Sequence, residues 1–313
     1  MNNQKLIKKS KILFNEILLT HPKAKVVKAA GIIDPNNAMF CSHQGLAQGI
    51  NNSDCFIDSI IFALFSSNIT TDFLLKKLIL FSKNNDIKGN ISYLIILYAC
   101  LIYDIFKTTN IKGKSFKESV KWCLLWNMCI YIKSFKKKIG IDDEFFTNLI
   151  TNNLLVNIDE EKMDFGAGDV FNIMIILTFI YPNLIYIHDD LMKKEKRVSK
   201  KKDSITSKDI IITPQIINIV RLESVEMRNH VIFLLKEHLK EHLKKKIDTK
   251  KSNGLLSAVI TTSTKHATAV VYCNEKWLEY NNLLKPTTKV HKSSAIVNKM
   301  IKSSTSRGFL VFF

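Results

Sequence analysis

Apolar residues recur at helical spacing in the first half of the chain and gather into short, β-branched runs in the second. Residues 4–20 interleave Lys with Leu, Ile and Phe, which predicts an N-terminal amphipathic helix. Residues 31–54 hold Pro35, Gly45 and Gly49 among Asn and Ser, and read as loop or short strands. From Cys55 the pattern changes abruptly. Phe56, Ile57, Ile60, Ile61, Leu64 and Phe65 form the apolar face of a helix, and helical patterns continue over Phe73–Phe81, Ile91–Phe106, Phe116–Tyr131, Asp143–Leu155 and Gly168–Phe179. Beyond about residue 180, strands are predicted at Leu184–Ile187, Ile216–Leu222, Leu255–Thr261, Ala267–Cys273, Trp277–Tyr280 and Phe309–Phe313. Helices first and strands second predict an α+β fold. Its helical lobe (about 55–180) would pack against an antiparallel sheet lobe (about 181–313), with residues 1–44 as an N-terminal extension.

Composition narrows the partners only a little. The chain has 313 residues with 46 Lys and Arg against 28 Asp and Glu, a net charge of +18. That excess suits nucleic acid, an anionic membrane or an acidic protein, and charge alone does not choose among them. The lysine run Lys193–Lys202 reads as a solvated loop. In Leu234–Lys246, Glu237 and Glu241 precede Lys240, Lys244 and Lys245, as on an exposed helix. Neither run carries the interleaved aromatics that stack bases, which argues against nucleic acid. Ile91–Phe106 and Val170–Ile187 are too short or too interrupted for a spanning segment, and the first residues lack a signal-peptide core. Six cysteines without a C-x-x-C pair predict reduced thiols in an intracellular, cytoplasmic chain. His238 and His242 are separated by Leu239-Lys240-Glu241, which lacks the glutamate placement of a zinc protease, so no metal or cofactor is expected.

The segment Asn51-Asn52-Ser53-Asp54-Cys55-Phe56-Ile57-Asp58-Ser59 delivers a cysteine from a polar loop to the first turn of an apolar helix. Unpaired N–H groups and the helix dipole there favour a thiolate and can hold charge on an attacked carbonyl oxygen. The plain alternative is that Cys55 packs as a small hydrophobe. Cys41 has no comparable helix behind it, while Cys100, Cys123 and Cys129 fall inside helical patterns and read as core. His266 opens the strand Ala267–Cys273, where an imidazole is held rigidly and still reaches a cleft. An antiparallel return through Trp277-Leu278-Glu279-Tyr280 brings Asn281 beside it. The Asn281 oxygen would accept the His266 Nδ1 proton and present Nε2 to the sulfur. The bland readings are a structural histidine and a turn asparagine.

In this order, the residues resemble the ubiquitin-specific protease family of papain-like cysteine peptidases. The run Gly49-Ile50-Asn51-Asn52-Ser53-Asp54-Cys55-Phe56-Ile57-Asp58-Ser59-Ile60-Ile61 is similar to the family's cysteine segment. Ile211–Arg221 is similar to the strand before its histidine region, and Leu255–Ile260 followed by His266–Tyr272 to the histidine segment itself. Trp277-Leu278-Glu279-Tyr280-Asn281-Asn282 and Arg307–Phe313 resemble its closing strands. The likeness spans roughly residues 45–313 and is weak between 66 and 205. It implies a papain-like catalytic domain over 45–313, with Cys55 as nucleophile, His266 as base and Asn281 as orienting residue. It implies cleavage after the C-terminal Gly of ubiquitin or a ubiquitin-like protein, with ubiquitinated proteins as partners.

Departures from the family pattern are specific. Lys265 stands where the family has Gly, and Ile50 where it has an oxyanion Asn, so Asn51 or Asn52 would take that role. Gly168-Asp169-Val170-Phe171 is a faint counterpart of the acidic box, and paired cysteines for zinc fingers are absent. Lys265, Trp277 and Asp169 would border a substrate channel. Asp54, Asp58, Asp169, Asp189 and Asp190 are the acidic groups available to an Arg-containing ubiquitin tail. Reduced members of this kind occur in large DNA viruses, which would place the protein in host cytoplasm or a virion. The alternatives are a polyprotein-processing cysteine protease and a catalytically inactive papain-like binding protein.

Overall fold

The computed structural model describes residues 3–33, 54–67, 70–103, 105–106, 110–111, 114–139, 170–188, 217–222, 256–262, 266–273, 275–281, 283–284, 287–293, 295–303 and 307–312. The first part is helical: α1 (Asn3–Thr20), α2 (Lys23–Ala30), α3 (Cys55–Phe65), α4 (Thr71–Ser82), α5 (Ile87–Ile102), α6 (Phe116–Ile139) and α7 (Val170–Ile180). A two-stranded ribbon, β1 (Asn110–Ile111) and β2 (Lys114–Ser115), precedes α6. Then follow β3 (Ile185–His188), β4 (Ile217–Leu222), β5 (Leu256–Thr262), β6 (Ala267–Cys273), β7 (Lys276–Tyr280), β8 (Thr288–His291), α8 (Ala295–Ser303) and β9 (Arg307–Phe312). The result is a mixed α+β architecture, a helical bundle against a sheet.

The bundle is organised around α5. Thirteen of its residues are buried, among them Tyr93, Leu94, Leu97, Tyr98 and Leu101, and α2, α3, α4 and α6 all pack on it. A helix buried all round needs a sharp start, and Asp86 supplies it: its carboxylate accepts the Gly89 N–H at 2.6 Å. Gly89 is required here by close approach, because a Cβ would lie 2.2 Å from the Asn84 carbonyl oxygen.

Residues 3–33, within the expected N-terminal extension, pack against this lobe. Leu6, Phe14, Ile17, Val26 and Ala30 are core residues. The Tyr93 hydroxyl donates to the His21 carbonyl at 2.5 Å, in the bend between α1 and α2. The cause lies in the apolar stripe of α1, which has a ready partner in α6.

The large sheet has the order β3-β4-β9-β5-β6-β7-β8. Among the described strands only β3 and β4 run parallel; the remaining neighbours are antiparallel. Alternation along the strands sends Ala258, Ile260, Ala269, Val271, Leu278 and Tyr280 to the face covered by α3, where they join the helical core. Val259, Val270, Tyr272 and Trp277 alternate with them and are buried on the other face, where α8 contributes Val297 and Ile301. Both faces of β5 and β6 are therefore covered, which explains why these strands read as near-continuous apolar runs.

The expected strands fall close to β3 through β7 and β9. The helices α2 and α8 and the strand β8 had no distinct apolar run and were not anticipated. The helices expected over 143–155 and 234–246 lie outside the described residues. Replacing Gly89 by Ala should lower stability by about 1–3 kcal/mol through overpacking, while Asp86→Ala should cost about 1 kcal/mol through loss of the cap. Thermal melts of the two variants test that ordering.

Candidate functional site

Helix α3 begins at Cys55, and its first turn lies against β6. The main-chain N–H groups of Ala267 and Phe56 favour the Cys55 thiolate electrostatically. Ala267 is the first residue of β6, so its neighbour His266 stands at the mouth of the strand on which α3 packs. The His266 ring meets Asn281 through Nε2, 2.8 Å from the amide oxygen Oδ1. This reverses the ring assignment expected from sequence. Nε2 faces the asparagine, which leaves Nδ1 as the nitrogen that would serve the sulfur.

Asn281 is held at three further points. Its Oδ1 also accepts the Leu283 N–H at 3.1 Å, its own N–H donates to the Thr287 carbonyl at 2.8 Å, and its carbonyl accepts the Leu284 N–H at 3.1 Å. The turn-residue reading and the orienting role are thus compatible: an Asx-type turn fixes the oxygen that the imidazole meets. The hairpin of β6 and β7 supplies the approach, with Ala269 paired to Tyr280 and Cys273 to Lys276. Glu275 takes a φ of 62° to close it.

Beneath Cys55 lies a buried set of charges that the sequence reading missed. Asp58, one turn along α3, is fully buried; its Oδ1 accepts the Tyr98 hydroxyl at 2.6 Å and its Oδ2 the Lys117 ammonium at 2.8 Å. The Tyr280 hydroxyl reaches the same Oδ2 at 3.3 Å. Asp54, at the helix start, bonds the Lys121 ammonium and lies 3.5 Å from that of Lys117. Asp54 makes no side-chain capping bond to α3, because its carboxylate is turned to the lysines. Two carboxylates spaced i,i+4 on α3 thus face two lysines spaced i,i+4 on α6. The signal for this was present: Asp58 is a lone charge inside Cys-Phe-Ile-Asp-Ser-Ile-Ile-Phe, and Lys117 and Lys121 lead into the apolar Trp122–Trp126 run.

These surroundings set the ionisation of the groups. Burial raises the Cys55 thiol above its ordinary value, and the Asp58 and Asp54 charges push the same way, against the two N–H donors. The helix start therefore does not by itself favour the thiolate; desolvation at 4% exposure outweighs it. Burial opposes ionisation of Asp54, yet Lys117 and Lys121 hold its carboxyl below the usual 3.8. Burial likewise disfavours the Lys117 charge, and Asp58 and Asp54 together more than offset it, leaving that amine above 10.5. Tyr98 and Tyr280 are raised far above 10.0 by burial and by the carboxylates.

Several expected roles change. Asp54 and Asp58 are consumed in internal ion pairs and do not face a basic substrate tail. Trp277 is 4% exposed and packs against Tyr272 at a ring separation of 5.2 Å on the α8 side of the sheet, a core position and not a channel wall. Cys100, Cys123 and Cys129 are buried free thiols, with Cys100 and Cys129 pushed up to about 12 by burial. Cys273 is disulfide-bonded, so the expectation of six reduced thiols fails there. Asn51, Asn52, Lys265, Asp169, Asp189, Asp190, His238 and His242 lie outside the described residues. Among the described residues no group of His, Cys, Asp and Glu side chains could hold a metal ion, and no helix is long and apolar enough to cross a membrane.

Comparison with protein-family models, curated proteins and solved structures finds no match.

The pairings carry a pH signature. The Asp54 contribution to stability is present above pH 3.8 and is lost as pH falls through its lowered folded value. The Lys117 contribution is present below pH 10.5 and is lost as pH rises through its raised folded value. Melting temperature should therefore fall at both extremes, and Asp54→Asn should flatten the acid limb. An unchanged acid limb in that variant would show that the pair contributes nothing.

Proposed function

We propose that the protein is a thiol-dependent hydrolase of papain-like fold, with Cys55 as nucleophile, His266 as base and Asn281 as the residue that orients the ring. The observation that carries this reading is the His266 ring meeting Asn281 at 2.8 Å, at the mouth of the strand on which the helix that begins with Cys55 packs. A thiol at a helix start, packed on the strand that opens with the histidine, is the placement such chemistry needs.

In the resting site, His266 Nδ1 takes the Cys55 proton. The imidazolium keeps its Nε2–H on Asn281, whose oxygen stabilises the charge and fixes the ring plane. The thiolate then attacks a substrate carbonyl carbon. The Cys55 main-chain N–H, at the first turn of α3, is the donor nearest the developing oxyanion, and Asn51 or Asn52 is the proposed side-chain partner. His266 returns the proton to the leaving amine as the C–N bond breaks. Water, activated by the same imidazole, releases the acyl group and regenerates the thiol.

The order of motifs from Gly49 to Phe313 supports a peptide or isopeptide bond after the C-terminal Gly of ubiquitin or a ubiquitin-like protein as the scissile bond. Because Asp54 and Asp58 are internally paired, recognition of a basic tail falls to other groups, with Asp169 as the first choice. Cys55→Ala should lower kcat/KM on a fluorogenic ubiquitin C-terminal amide by a factor on the order of 10⁴ without changing the fold. Asn281→Ala should lower it on the order of 10²-fold. Equal rates for wild type and Cys55→Ala would overturn the reading. Labelling by ubiquitin bearing a C-terminal vinyl electrophile separates this substrate class from a viral polyprotein, which requires no ubiquitin recognition.

The buried, raised Cys55 thiol favours a second reading, a papain-like binding protein without turnover. Alkylation by iodoacetamide across pH separates the two. An ion-paired thiolate gives a reactive plateau that extends below neutrality and depends on His266, whereas a binding protein gives only the alkaline rise of a buried thiol.

A further inference from the structure

Four elements meet at Asp58. It sits one turn after Cys55 on α3, accepts Tyr98 from α5 and Lys117 from α6, and receives the hydroxyl of Tyr280 from β7, on the sheet whose neighbouring strand β6 opens beside His266. Tyr280 is also stacked on Phe62 of α3, with ring centroids 4.6 Å apart and planes inclined by 20°. Tyr280 immediately precedes Asn281. This side chain therefore ties the helix that carries the thiol to the strand that leads into the orienting amide. Lys117 is buried and lies within 2.8 Å of Asp58 and 3.5 Å of Asp54, so it is the cation shared by both carboxylates nearest the thiol. Lys121 neutralises Asp54 from one turn further along α6.

We propose that Lys117 and Asp58 are positioning residues for Cys55: Lys117 neutralises the two carboxylates beneath the thiol, and Asp58, through Tyr280, holds α3 in register with Asn281. The inference rests on Cys55 being the reactive thiol of the proposed function. Its electrostatic part follows from Coulomb's law in a dry setting. A carboxylate close to a thiol opposes its ionisation, and a cation bonded to that carboxylate cancels most of the opposition. Asp58 on α3 and Asp54 just before it act on Cys55 directly, and Tyr280 from β7 interacts with it. Lys117 and Lys121 from α6 and Tyr98 from α5 act through the two carboxylates, and His266 stands at the start of β6. The tyrosines remain neutral hydroxyls at ordinary pH, so the carboxylate–lysine balance and His266 are the variable charges.

The experiment measures the rate of Cys55 alkylation by iodoacetamide against pH in the full chain, with Cys55→Ala as the blank for the other thiols. Lys117→Met leaves carboxylate charge uncompensated and should raise the alkylation midpoint by about one pH unit. Asp58→Asn removes one negative charge while Lys117 keeps Asp54, and should lower the midpoint by a similar amount. The double variant Asp58→Asn/Lys117→Met removes the pair together and should return the midpoint close to wild type.

A purely structural role moves both single variants in the same direction or not at all, and either result overturns the charge-balancing role. If Lys117→Met does not fold, Asp58→Asn and the double variant still decide the question. Tyr280→Phe tests the register: it should lower kcat several-fold with little change in KM and no change in the alkylation midpoint, and an unchanged kcat overturns that part. Because alkylation needs no substrate, failure to hydrolyse ubiquitin reporters with the predicted midpoint shifts intact would reject the proposed function and leave the charge balance standing.

Discussion

Everything near the thiol depends on keeping two carboxylates and two ammonium groups out of water without leaving any of them uncompensated. Removing one partner from a buried ion pair costs about 3–5 kcal/mol, so the four groups are retained or lost together. Their geometry dictates the packing around them. Asp58 can be fully buried inside an otherwise apolar helix only because Lys117, Tyr98 and Tyr280 converge on its two oxygens. That convergence requires α5, α6 and β7 to meet α3 at one depth. The helical bundle and the sheet meet at this polar junction as well as through the hydrophobic core around it.

The sheet solves a different problem. A side chain at a strand mouth is rigid only if the strand behind it is rigid, and β6 is central, paired with β5 on one side and β7 on the other. With α3 on one face and α8 on the other, the β6 backbone has little room to adjust. His266 inherits that rigidity at its start, and Asn281 inherits it from β7 and the turn that follows. The two lie at corresponding ends of neighbouring strands, which is why a contact separated by 15 residues closes at 2.8 Å.

Elements that bury one strong apolar pattern were legible in the sequence. The α3 face from Phe56 to Phe65 and the β6 run from Ala267 to Cys273 each have a period that dictates the element. The elements α2, α8 and β8 are short, mix Lys with apolar residues, and take their form from what they pack against. The pairing of His266 with Asn281 followed from hairpin geometry, but the ring nitrogen involved did not, because ring orientation depends on where the backbone enters the strand. The charge junction escaped because each residue has an ordinary local explanation. Asp54 looks like a helix cap, and Lys117 looks like a surface lysine. Only the three-dimensional meeting of two i,i+4 pairs from helices far apart in sequence reveals their role.

The position of β9 has a consequence for how the chain reaches its final form. This strand is made after every other strand of the sheet, yet it lies between β4 and β5 and pairs with both. Until residues 307–312 leave the ribosome, the sheet exists as two fragments with unsatisfied edges facing each other across an empty slot. Such edges invite pairing with other nascent chains. The long sequence separation between β4 and its partner also makes the final closure slow. A sheet assembled in this order stays divided until its last strand is in place, so the joining of its two halves is a late, all-at-once event in the life of the molecule.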